Sequence, residues 1–289
     1  MEVRQAAVFI VATPIGNLDD ISVRALATLR NVDIIAAEDT RNTRKLLTHF
    51  GILGKELISY HDHGEEERAS ALVERISKEG LSLAVVSDAG TPCIADPGYR
   101  IVRNAKDHGI KVYPVPGPSA LTSLISASGL PSNRFMFVGF LPTKSKDLKN
   151  EVLSWRPSRA SIVFFSPTRR LEECFVSILD AYPNCKISIG RELTKLFEEI
   201  VTMSGVEALS WVQNHPILKG EAVVMVELGD DGESGPDVGE QSNEDLVIEA
   251  AKKGFAQGRT LKDLLKDLSG SGLARSDLYQ LLLKVKSGN

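Results

Sequence analysis

Cysteine is scarce in this 289-residue chain: Cys93, Cys174 and Cys185 stand far apart, and no CxxC pair occurs. That spacing excludes a disulfide framework and a cysteine-built zinc site. Long apolar runs are missing as well, and nothing approaches the roughly 20 residues that span a bilayer. The opening MEVRQAAVFIVATPIGN has a short apolar run without a cleavage pattern after it, so it reads as a buried first strand. The expectation is a cytoplasmic protein that does not enter membranes. There is no GxGxxG and no GxxxxGK[ST], which removes the two common nucleotide-phosphate fingerprints. PGPSAL at Pro116–Leu121 resembles a nucleophile elbow, but Leu121 occupies the position where GxSxG requires glycine. With 43% hydrophobic and 25% charged residues, the composition also excludes wholesale disorder.

The net charge of −4 is small and negative, yet it is unevenly spread. Residues 1–117 carry net −2 and residues 118–228 net +1, whereas residues 229–245 hold seven acids and no base. That stretch, GDDGESGPDVGEQSNED, has one aliphatic residue and reads as a flexible acidic linker. Residues 246–289 are net +4, with Leu261, Leu264, Leu265, Leu268, Leu278, Leu281 and Leu282 at helical spacing. This basic module reads as a helical appendage, or as a contact point for RNA or a partner.

Strand-like and helical patterns alternate through the first half. Strands are expected at 7–12, 33–37, 57–60, 82–86 and 111–115, and helices at 40–49, 65–79 and 99–108. Another helix is expected from a cap at Asp20, and one more after Pro118. This pattern predicts a largely parallel sheet covered on both faces. Beyond Pro131 strands outnumber helices, at 135–140, 161–166, 186–191, 199–203 and 222–228, which predicts a second, mixed sheet. The organisation expected is an α/β domain over 1–117, a second α/β domain over 118–228 that completes a cleft, and the linker and module beyond.

Three Gly/Pro-rich loops follow predicted strands: TPIGN at Thr13–Asn17, SDAGTPCIADPG at Ser87–Gly98 and PVPGPSA at Pro114–Ala120. Glycine lets a backbone approach a ligand closely, and proline lowers the ordering cost. Together the loops fit a small polar ligand held by backbone groups at the carboxyl ends of strands. AEDTRNTRKLL places Glu38, Asp39, Arg41, Arg44 and Lys45 after the second strand, acid beside base, as a general base and a phosphate clamp would require. SPTRRLEE offers Arg169 and Arg170, and RELTKLFEE offers Arg191, Glu192 and Lys195. Such cations at strand ends suit an anionic backbone. His61 and His63 flank Asp62 on a predicted loop; this reads as a surface or RNA contact in preference to a metal site.

Assembled in order, VATPIGNLDDIS, AEDTR, SYHDH, VSDAGTPCIADPGYR, PVPGPSA, SGLP with RFMFVGFLP, RELTK.FEE and KGEAVVMVE resemble the bacterial 16S rRNA 2′-O-ribose methyltransferase family. That family is the ribosomal RNA small subunit methyltransferase I group, of the tetrapyrrole-methylase-like class III enzymes. The likeness runs from about Ala7 to Leu228 and continues weakly in the tail. It implies a two-domain tetrapyrrole-methylase-like α/β fold with a small helical C-terminal tail. It also implies S-adenosyl-L-methionine as methyl donor, a homodimer, and a cytidine of 16S rRNA in the small ribosomal subunit, near the decoding centre, as target. The donor would be held by Pro14, Gly16, Asp88, Ala89, Gly90, Pro116, Ser119 and Ala120, and by Phe165, Leu193 and Gly220 from the second domain. After FFSP the family has a His–Arg pair where this chain has Thr168–Arg169, which leaves Arg169 as the residue carried over.

For such a transfer, Glu38 and Asp39 are the expected bases, with Arg41 and Lys195 holding phosphate or polarising the hydroxyl. Arg44, Lys45, His61, Arg169, Arg170 and Arg191 are the expected RNA contacts. Two alternatives stay open on residues alone: a small-molecule, tetrapyrrole-type methyltransferase, and a non-catalytic RNA-binding assembly factor.

Overall fold

The first described strand buries side chains toward both faces of its sheet, Val8 on one and Val11 on the other, because helices cover both. The structure, a computed structural model, describes residues 6–60, 65–215, 220–229, 243–256, 259–268 and 275–287. In order come β1 (Ala7–Val11), α1 (Val23–Asn31), β2 (Ile34–Ala37), α2 (Thr40–His49), β3 (Glu56–Ser59), α3 (Glu65–Glu79), β4 (Ser82–Val86), α4 (Tyr99–Asp107) and β5 (Lys111–Val115). The strands pair in the order β3-β2-β4-β1-β5, all parallel. Side chains alternate between the faces. Ile34, Ala36, Leu83 and Val85 pack under α3 and α4, while Ile35, Ala37, Ala84 and Val86 pack under α1 and α2.

The helix after β1 starts later than its sequence suggests. Ser22, not Asp20, is its cap: the Ser22 hydroxyl accepts the Ala25 N–H at 3.0 Å, and Asp20 closes a short turn ahead of it. Both residue types cap helices, so the sequence does not separate them.

α5 (Ala120–Ala127) leads to the second sheet: β6 (Phe135–Phe140), α6 (Ser145–Leu153), β7 (Ser161–Pro167), α7 (Leu171–Ala181), β8 (Lys186–Arg191), β9 (Glu199–Ser204), α8 (Gly205–Asn214) and β10 (Glu221–Glu227). The order is β6-β7-β10-β8-β9, with β6 and β7 parallel and the other pairs antiparallel. α6, α7 and α8 bury one face around Trp155, Phe164, Phe175 and Tyr182. On the other face, Leu124 of α5 meets Val163, Val223 and Met225. Each such side chain contributes roughly 1.5–3 kcal/mol by burial. Both sheets belong to one compact unit, Met1–Asp231.

Gly232–Asn289 form a second unit, in which α9 (Asn243–Ala256), α10 (Leu261–Asp267) and α11 (Arg275–Ser287) are described. Val247, Ala251, Leu264, Leu278 and Leu282 make its core. α9 begins at Asn243, inside the stretch expected to be linker; residues 230–242 of that stretch lie outside the described residues. Among the described residues, no helix is long and apolar enough to cross a membrane.

Candidate active site

Parallel pairing puts the carboxyl ends of β1, β2, β4 and β5 along one edge, and their loops meet there. Thr13 and Gly90 exchange backbone hydrogen bonds, Thr13 N–H to Gly90 O at 2.9 Å and Gly90 N–H to Thr13 O at 3.0 Å. The buried Thr13 hydroxyl donates to Ser87 O at 3.1 Å, and Thr91 Oγ1 donates to Pro118 O at 3.3 Å. β1 and β4 are neighbours whose following helices lie on opposite faces, so the crevice between their loops is the switch point where open α/β sheets take ligands.

The second sheet closes this crevice with the loop after β8. Glu192 and Thr194 adopt left-handed φ angles of 49° and 65°, a strained conformation for such residues. The loop rests on the first half: Thr194 Oγ1 accepts the Asn17 N–H at 2.9 Å. A Cβ on Gly16 would lie 2.5 Å from Lys195 Cγ and 2.9 Å from Leu193 O, so glycine is required for this approach. Gly220 has φ +92°, and a Cβ there would lie 2.5 Å from Glu192 Oε1. Thr168 is buried and donates both its N–H and its hydroxyl to Gly220 O, at 3.0 and 3.1 Å. Threonine at this position thus anchors the turn before β10.

The cleft measures about 580 Å³, within the range of small-molecule sites. Its apolar wall is Ile15, Ala120, Phe140, Phe165, Leu193 and Val223. Its polar wall is dominated by carboxylates: Glu38, Asp88, Asp96, Glu192 and Glu221 line it, with Lys195. Lys195 Nζ lies 3.1 Å from Glu192 Oε1. Asp88 is held on both oxygens, accepting from the Asp39 N–H at 3.2 Å and from Asn42 Nδ2 at 2.9 Å. Glu38 accepts the Asp88 N–H at 3.2 Å.

Burial pushes the Asp96 carboxyl up to about 6. The negative charge of Glu38 adds to this, Asp88 and Glu221 add less, and a hydrogen bond from Ser87 opposes it. Asp96 lies on the loop between β4 and α4, in which Cys93 and Ala95 both take left-handed φ, 70° and 62°.

The structure brings most of the expected donor-site residues to this cavity. Asp88, Ala89, Gly90, Ser119, Ala120, Phe165, Leu193 and Gly220 line it. Pro14, Gly16 and Pro116 belong to the enclosing loops but not to its wall. Asp39, expected as a base, is committed elsewhere. It caps α2 by accepting the Arg41 N–H at 2.8 Å and pairs with the Arg41 guanidinium at 2.6 Å, which holds its carboxyl down to about 2. Arg41 in turn points its charge at Asp39, on the same side as Arg44, Lys45, Thr48 and His49, which border a shallow basic depression on α2.

Two of the expected RNA contacts make bonds inside the protein. Arg170 donates to Leu141 O at 2.9 Å and to Pro142 O at 2.5 Å, and Arg191 pairs with Glu199 across β8 and β9 at 2.9 Å. Arg169 is exposed. His61 lies outside the described residues. Sequence reasoning passed over Asp96 and Glu221, although both stand inside the quoted blocks, as single acids beside glycine or proline.

Two five-stranded sheets with a cleft at the carboxyl edge of the first define a class. Residues 7–208 match the family described as Tetrapyrrole (Corrin/Porphyrin) Methylases. The fold is similar to that of uroporphyrin-III C-methyltransferase from Thermus thermophilus complexed with S-adenyl homocysteine, at TM-score 0.52, 18% identity, and coverage of 76% of this chain and 96% of that one. It is similar also to diphthine synthase, at TM-score 0.56, 17% identity, and coverage of 76% and 89%. Among sequence relatives, "Ribosomal RNA small subunit methyltransferase I" of Vibrio cholerae is 46% identical over 75% of this chain and 76% of its own length. The protein of that name from Mesorhizobium japonicum is 39% identical over 98% and 93%. The chain belongs to the tetrapyrrole methylase family and, inside it, to the ribosomal RNA small subunit methyltransferase I group.

Proposed function

We propose that this chain is an S-adenosylmethionine-dependent methyltransferase that methylates the ribose 2′-oxygen of a cytidine in 16S rRNA, near the decoding centre. The proposal includes action as a homodimer, in the cytoplasm where the small ribosomal subunit is made. One observation carries the reading: a carboxylate-rich cavity at the switch point opens beside a helix, α2, whose face is basic. The cavity suits a compact cation with an apolar and hydrogen-bonding body. The basic face suits a polyanion such as an RNA backbone.

The residues present fit the donor. Carboxylates face the space a sulfonium or ammonium would enter, Gly90 and Gly220 leave their backbones bare, and Phe165 and Leu193 offer apolar cover. When bound, S-adenosylmethionine supplies a methyl group on a positively charged sulfur. Asp88, fixed on both oxygens, is placed to orient a ligand without moving itself. The strap at Leu193–Lys195 packs against Gly16 and Asn17 at one side of the cavity. Arg44 and Lys45 hold phosphates of the RNA, and Arg169 adds a contact from the second half. Of the two acids expected as base, Glu38 faces the cavity and Asp39 does not.

Reverse-transcription mapping of 16S rRNA from cells with and without the gene tests this reading. A single 2′-O-methyl cytidine that disappears with the gene is expected; an unchanged 2′-O-methyl pattern refutes it.

A further inference from the structure

We propose that Phe140 is a stacking platform for the base of the target nucleotide, at the outer end of the cleft floor beside the donor. This rests on the methyl-transfer reading above and adds the residue that receives the RNA base.

Strand register builds that floor. β6, β7 and β8 end on one edge of the second sheet, where β10 begins. Phe140 is the register partner of Phe165, Phe165 of Val223, and Val223 of Gly190. All four line the cleft, so they form a single row across the sheet. The inner places of the row lie beside the proposed donor contacts: a Cβ on Gly190 would stand 3.2 Å from Leu193 Cδ2, and Val223 follows closely on Gly220. The outer place is Phe140. β6 is an edge strand, and Phe140 is 49% exposed although it is a large apolar residue.

A bulge aims this ring into the cleft. Phe137 pairs with Val163, but Phe140, three residues on, pairs with Phe165, only two residues on. Side chains alternate along a strand, so without the extra residue Phe140 would point to the opposite face of the sheet. Gly139 supplies the φ of +68° at the irregularity, and a Cβ there would meet nothing within 4 Å, so the glycine serves conformation and not space. Bulges collect beside active sites, where they re-aim a side chain.

The ring is also held in place. Its centroid lies 5.6 Å from that of Phe165, which meets Phe137 edge-on at 4.9 Å. The Arg170 guanidinium bonds the carbonyls of Leu141 and Pro142 and so fixes the turn that follows. The chain around the ring is cationic: Lys144 and Lys146 at the start of α6, and Arg169 after β7, are exposed. The carboxylates deeper in the cleft repel phosphate, so a base and its ribose enter while the phosphates stay with these cations. Unstacked RNA bases are characteristically received on aromatic rings.

The test uses the full chain, small ribosomal subunits lacking the modification and saturating S-adenosylmethionine. It compares wild type with Phe140→Ala, Phe140→Leu and Phe140→Tyr, each also titrated with S-adenosylhomocysteine in calorimetry. Phe140→Ala should lose about 5–150-fold in kcat/KM, the equivalent of one base–aromatic stack. Its affinity for S-adenosylhomocysteine should stay within about threefold of wild type. Phe140→Leu keeps apolar bulk but has no ring face, and it should be impaired nearly as much as Phe140→Ala. Phe140→Tyr keeps the ring and should stay within about threefold of wild type. A residue that only packs the sheet would follow bulk and not aromaticity.

With an active wild type, Phe140→Ala at wild-type kcat/KM, or Phe140→Leu equal to Phe140→Tyr, overturns this inference alone. A larger loss of S-adenosylhomocysteine affinity in Phe140→Ala and Phe140→Leu would put the donor's adenine on the ring, and overturns it too. A wild type that methylates no RNA overturns the underlying reading and this inference with it. Should Phe140→Ala not fold, the comparison of Phe140→Leu with Phe140→Tyr decides.

Discussion

Gly220 shows how much of the site depends on single atoms. Its φ of +92° suits glycine, and a methyl there would lie 2.5 Å from Glu192 Oε1, the oxygen that pairs with Lys195. Gly220→Ala is expected to destabilise the fold by about 1–3 kcal/mol and to weaken S-adenosylmethionine binding at least tenfold. Thermal unfolding and calorimetry check the two parts, and full donor affinity would show that the strap tolerates displacement. At this scale the sequence was legible unevenly. Asp88, Gly90 and Leu193 stand in long, uncommon blocks and line one cavity. Asp96 was passed over because its character comes from Glu38, Asp88 and Glu221 on other elements, which no local pattern reveals. Arg170 bonds the carbonyls of Leu141 and Pro142, which lie elsewhere in the chain, whereas the Glu199 partner of Arg191 stands in the same RELTKLFEE block and is brought opposite it by the β8–β9 pairing.

Among elements, α2 touches the cavity loops at one end and borders a basic depression along its face. Its N-terminus is tied to the cavity through Asp39 and Asn42, and its exposed face carries Arg44, Lys45 and His49. Charge reversal of Arg44 and Lys45 together should weaken small-subunit or 16S rRNA binding. It should also flatten the dependence of log affinity on log salt by roughly 1.5–2, the loss of about two phosphate contacts, with donor affinity unchanged. An unaltered salt slope would remove α2 from the RNA surface. The strands and helices of the first sheet were readable because period-2 alternation and glycine stops coincide there. The helix start at Ser22 was not, since Asp20 and Ser22 are both sound caps and only packing chooses between them.

For the whole molecule, the net charge of −4 conceals a division of labour. The seven acids of residues 229–245 outweigh the net +4 of residues 246–289, while residues 1–228 are net −1. The basic tail was readable as helical from its leucines, and those leucines do form a core of their own. Leu282 is fully buried there, so Leu282→Ala should cost that unit about 2–5 kcal/mol. Faster amide exchange over residues 243–287, with exchange in the two sheets unchanged, would confirm that it folds independently; uniform change across the chain would argue against this.

The most direct measurement is of the product itself. The purified chain is incubated with S-adenosylmethionine carrying a labelled methyl and with small subunits lacking the modification, and the RNA is digested to nucleosides for mass spectrometry. The prediction is label in 2′-O-methylcytidine, at about one methyl per subunit. Label on a base, or none in the RNA, would contradict it.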